Sequence, residues 1–100
     1  MSLEYENKIA LELIQAMLGA LSSNVRAVSF QCNDRKIELF FVFEKESSTD
    51  REEADDILVE FEALQSGPVD IEHHIKVTEE LFPNGVSSLK GRPLYARKEN

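Results

Sequence analysis

The chain has 100 residues, 42% of them hydrophobic and 30% charged, with only 4 Gly and 3 Pro. That composition excludes collagen-like, low-complexity and disordered classes, and the length suits one domain with a core of its own. The 19 acidic residues outnumber the 11 basic ones, for a net charge of −8. A body so charged repels a phosphate backbone, so nucleic acid is not an expected partner.

Cys32 is the single cysteine, so there is no intrachain disulfide framework. The N-terminal MSLEYENK lacks the basic region of a secretory signal. The apolar stretch from Ile9 to Leu21 is broken by Glu12 and Gln15 and is too short to span a bilayer. These features predict a cytoplasmic protein with no membrane contact.

The periodicity predicts a first helix over Glu4 to Leu21. Ile9, Leu13, Met17 and Ala20 form one apolar row, and Ala10, Ile14, Leu18 and Leu21 a second beside it. Together they make a wide stripe for burial. Two strands follow, Val25 to Cys32 and Lys36 to Glu44, joined by a turn at Asn33-Asp34. Val28, Phe30 and Cys32 share one face of the first. Ile37, Leu39, Phe41 and Phe43 share one face of the second, which leaves Phe40 and Val42 on the other.

A capping-box pattern at Thr49 and Glu52, with Ser48 as a rival cap, starts a second helix that Gly67-Pro68 stops. Ala54, Ile57, Leu58, Phe61 and Leu64 form its apolar stripe; Glu52, Glu53, Asp55, Asp56, Glu60 and Glu62 fill the rest. Val69 to Val77 alternates as a third strand. Residues 78–91 read as a loop, with a turn at Pro83-Asn84-Gly85 and a short helical turn at Glu79 to Phe82. Arg92 to Lys98 reads as an edge strand that tolerates Pro93. The fold class is α+β, one domain over residues 1–100 in the order α-β-β-α-β-β. It is a mostly antiparallel four-stranded sheet with both helices on one face.

No phosphate loop, dinucleotide fingerprint or paired Cys-x-x-Cys occurs, so an enzyme is not expected and no cofactor is implied. Cys32 lacks the basic or helix-N-terminal setting that activates a thiol, which leaves it as packing material. Glu72 and His74 share a strand face, but the sequence supplies no third ligand, so no metal site is predicted. His73 lies on the apolar face, as a hydrogen-bonded core residue or one at a pocket edge.

Two patterns point to binding. Phe40 and Val42 put an apolar surface on the sheet face away from the helices, which loop 78–91, a second copy or another protein must cover. The acids Asp55, Asp56, Glu60 and Glu62 offer a steering surface for a basic protein, with Phe40 or Tyr95 as an aromatic anchor. Against them stands a basic cluster, Lys90, Arg92, Arg97 and Lys98, opposed only by Glu99. It suits an edge strand, or a site for a carboxylate, phosphate or acidic partner.

Three segments carry a family resemblance: Tyr5-Glu6-Asn7-Lys8-Ile9, Phe61-Glu62-Ala63-Leu64-Gln65, and Gly91-Arg92-Pro93-Leu94-Tyr95-Ala96-Arg97-Lys98. With the layout of the chain, they resemble small bacterial immunity partners of polymorphic toxins, including those of contact-dependent inhibition. The resemblance implies a non-enzymatic, acidic α+β protein that binds and blocks a toxin, such toxins often being basic nucleases. The alternatives are a structural or regulatory homodimer through the Phe40 and Val42 face, and a small-ligand or metal-binding protein centred on Glu72 and His74 or on Arg92 and Arg97.

Overall fold

The computed structural model describes residues 3–33, 36–82 and 89–99. The elements are α1 (Leu3–Met17), β1 (Val25–Asn33), β2 (Lys36–Phe43), α2 (Ser48–Ala63), β3 (Asp70–Val77) and β4 (Arg92–Ala96). The order is the expected α-β-β-α-β-β.

The sheet runs β3-β2-β1-β4. β1 pairs antiparallel with both β2 and β4, whereas β2 and β3 are parallel. The sheet is therefore mixed. The physical reason is α2: a helix between two neighbouring strands returns the chain to the end where it started, and the second strand then runs parallel. Sequence alternation reveals strand faces but not strand direction.

The core lies where alternation put it. Val28, Phe30, Ile37, Leu39, Phe41 and Phe43 face Ile9, Leu13 and Met17 of α1 and Ala54, Ile57 and Phe61 of α2. One sheet face thus carries both helices. Each fully buried Phe, Leu or Ile contributes about 1.5–3 kcal/mol through removal from water.

Local details differ from the sequence reading. α1 ends at Met17, four residues before Leu21, because Gly19 adopts φ 78°. A left-handed residue closes the helix there, as glycine does most cheaply. The second apolar row is not all core: Ile14 and Leu18 are exposed. The cap of α2 is Ser47 rather than Ser48 or Thr49, its Oγ accepting from the Asp50 amide at 3.1 Å. Asp50 is buried and instead accepts from Ser22 Oγ and Asn24 Nδ2, which binds the start of α2 to the α1–β1 connection. α2 ends at Ala63, ahead of Gly67-Pro68. No helical turn forms over Glu79 to Phe82; Thr78 Oγ1 instead accepts from the Glu80 amide, where the chain bends. The turn residues Asp34 and Pro83-Asn84-Gly85 lie outside the described residues.

The edge strand β4 is irregular. Its register slips between Val28 and Ser29, which pair with Tyr95 and Pro93. Leu94 is the extra residue, and a bulge of this kind lets two consecutive side chains turn toward one side. Leu94 and Tyr95 both pack against the helix-side core.

On the opposite face, Ala27, Ser29 and Val42 are buried and Phe40 is half-buried. Leu81, Phe82, Leu89 and Lys90 line the same 530 Å³ cavity as Phe40, Val42 and Ser29. Described parts of the 78–91 segment therefore lie over the apolar patch. Arg26, 2% exposed, anchors this cover. Its guanidinium donates to both carboxylate oxygens of Glu99 at 2.7 Å and to the Thr78 carbonyl at 2.8 Å, and lies 4.3 Å from the centre of the Phe82 ring.

Candidate functional site

The acids of α2 divide between two sides of the helix. Glu53, Asp56 and Glu60 are three, four and seven residues apart, so they share a side. That side faces the C-terminal end of α1, where a 450 Å³ groove runs between the helices. Leu18 and Val59 line the groove beside these acids and are 75% and 65% exposed. Neither belongs to the core, and together they give the groove an exposed apolar centre among acids. Among the described residues, no cationic side chain lies within 4.0 Å of the carboxylates of Glu53, Asp56 or Glu60. Their charge is therefore left to the solvent or a partner.

Asp55 and Glu62 occupy the other side, seven residues apart. Asp55 Oδ1 lies 2.7 Å from His73 Nε2, joining α2 to β3. His73 also presents its ring edge-on to Phe41 of the core. It is a hydrogen-bonded, partly buried residue at the edge of the core. Glu62 is exposed in the last turn of α2.

The aromatic candidates fall on opposite faces of the sheet. Phe40 stacks on His74 at 5.2 Å with 18° between planes, and Lys90 Nζ lies 5.2 Å from its ring centre. Val42 lines the cavity beside it. Tyr95 lies on the helix side, where it lines a 220 Å³ groove with Leu94, Ile14 and Leu18. Leu18 thus separates two grooves. Asp56 and Glu60 flank it on one side and Tyr95 on the other. The structure gathers these three sequence candidates around one helix end and leaves Phe40 and Val42 elsewhere.

The basic residues are distributed rather than pooled. Arg92 Nη1 donates to Asn7 Oδ1 at 2.7 Å and reaches Glu6 at 3.3 Å, at the first turns of α1. Arg97 contacts Glu44, Glu99 and the Ser23 carbonyl. Lys90 lies over Phe40, and Lys98 is exposed. Arg92 and Arg97 are thus engaged by acids of the chain itself.

The remaining chemistry is sparse. Cys32 is half-buried, and desolvation pushes its thiol pKa up, with nearby Glu6 adding to the rise. A thiol held in its neutral form is a poor nucleophile. Glu38, which the sequence reading passed over, joins Glu72 and His74 on the face away from the helices. Its signal was available only through pairing, since β2 and β3 place Glu38 beside Glu72.

Among the described residues, no helix is long and apolar enough to cross a membrane. Residues 6–99 match the model of a protein family described as MafI2 immunity protein. No curated protein matches the chain.

Proposed function

The chain belongs to the MafI2 immunity protein family, and from that premise we propose that it is a non-enzymatic inhibitor that binds a toxin protein through the α1–α2 groove, and that the toxin's docking face is basic. The observation that carries this reading is the grouping of exposed Leu18 and Val59 with Glu53, Asp56 and Glu60, which have no ion-pair partner among the described residues, around one groove. An apolar centre with a polar rim is the general anatomy of a protein interface. The acidic rim favours a cationic partner and speeds its encounter. A toxin acting on nucleic acid carries a positive cleft for the phosphate backbone, so a basic nuclease is the partner class of best fit. Inhibition then needs no chemistry from this chain, only occlusion.

The test is co-expression with the toxin that the chain protects against, with growth rescue and binding kinetics read together. The variant Asp56→Lys/Glu60→Lys is expected to slow association by about tenfold or more and to flatten its salt dependence. Asp55 is left intact because it holds His73. Unchanged kinetics and full rescue in that variant would sink the proposed groove. A target without nuclease activity would sink the nuclease assignment alone.

A further inference from the structure

We propose that Glu38, Glu72 and His74 form a binding site for a divalent transition cation of the zinc type, on the sheet face opposite the helices. This site is separate from the α1–α2 groove and does not rest on toxin binding.

The spacing of the donor atoms carries the inference. His74 Nε2 lies 3.2 Å from Glu38 Oε1 and 3.3 Å from Glu72 Oε1, and the three atoms fall within 4.8 Å of one another. A zinc ion bound at about 2.0–2.1 Å in a tetrahedron separates its ligands by roughly 3.3 Å. Two of the three separations already have that value. The third separation, between the two carboxylates, lies within 4.8 Å.

The sheet enforces the arrangement. Glu38 pairs with Glu72 and Phe40 with His74 in the parallel register, so both acids and the imidazole share one face. Two carboxylates side by side on neighbouring strands repel each other, and a cation between them relieves that repulsion. The ligands are also held from behind. Gln31 Nε2 donates to Glu38 Oε2 at 3.1 Å, leaving Oε1 for an ion, and Phe40 stacks on the His74 ring. Such outer contacts orient ligands and raise affinity. His74 and Glu72 are 48% and 44% exposed, which leaves a fourth position open to water. One imidazole with two carboxylates suits zinc better than calcium or magnesium, which favour all-oxygen shells.

Lys36 is the competitor. Its Nζ lies 3.0 Å from the same Glu72 Oε1. An ion entering the site displaces that ammonium.

The experiment is calorimetric titration of metal-free protein with zinc chloride at neutral pH, with magnesium chloride as the hard-cation control. The expected result is one zinc per chain and no magnesium heat. His74→Ala and Glu38→Gln should each weaken binding by at least about tenfold, Gln31→Ala by about tenfold, and Lys36→Met should strengthen it. Cys32→Ser should leave it unchanged. NMR of the His74 ring supplies an independent readout, with its resonances shifting in step with the heat. An absence of saturable zinc binding would overturn the proposal, as would binding that survives His74→Ala or depends on Cys32.

Discussion

Arg26 and Glu99 meet across 73 positions of sequence in a two-pronged ion pair, with the arginine buried and the glutamate at the surface. The pair fastens the end of the chain to β1, while the same guanidinium holds Thr78 and Phe82 over the sheet. Its two halves are energetically unequal. Glu99→Ala strands a buried cation, whereas Arg26→Met leaves a carboxylate that water can reach. Breaking a buried pair costs about 3–5 kcal/mol when the abandoned charge stays desolvated. Urea unfolding should therefore show Glu99→Ala nearer that range and Arg26→Met less destabilising. The reverse order would mean that packing of the arginine stem, not its charge, dominates.

The same pair sets an acid limit. The hydrogen bond from Arg26 holds the Glu99 carboxyl at about 2, below its ordinary 4.5. The folded state thus binds its proton less readily than the unfolded chain. Its contribution is complete above pH about 4.5 and fades as pH falls toward about 2. Thermal melts across that window should show a loss in the native chain that Glu99→Gln largely lacks. Parallel curves for the two proteins would remove Glu99 from the account of acid unfolding.

Gly91 leads into β4 at φ 77°, and a Cβ there would collide with the Phe30 carbonyl group. Both the dihedral and the close approach exclude a side chain. Gly91→Ala should lower stability by more than the roughly 1 kcal/mol of a left-handed alanine, because backbone rather than a flexible side chain blocks the space. Gly67→Ala is the control: its Cβ meets nothing within 4 Å and no positive φ is involved. Equal melting temperatures for the two variants would contradict the collision.

What the sequence revealed and what it hid divide along one line. Alternation placed Phe30, Leu39, Phe41 and Phe43 in the core because side-chain period is a local property. The parallel pairing of β2 with β3 is not local, and the Glu38, Glu72 and His74 cluster depends on it. Arg26 lies within the Val25 to Cys32 strand run, where periodicity says nothing of its partner, and only the fold brings it to Glu99. In the candidate groove, Asp56 and Glu60 were visible as exposed acids of an amphipathic helix. Leu18 was not, because its spacing fits the buried row and the left-handed turn at Gly19 takes it out.

That misfit yields a last prediction, made on two leucines of one segment. Leu13 is fully buried against the sheet, and Leu18, one residue past the end of α1, is 75% exposed. Leu13→Ala removes a core side chain and should cost about 2–5 kcal/mol in chemical unfolding. Leu18→Ala removes a side chain that folding leaves in water and should stay within about 0.5 kcal/mol. Toxin binding should reverse the ranking. The folded fraction of Leu13→Ala retains the groove, whereas Leu18→Ala loses its apolar centre and should dissociate faster by about tenfold or more, as truncating an interface anchor does. A Leu18→Ala protein that unfolds early would place this side chain in the core after all. One that is stable and binds with native kinetics would move the interface away from α1.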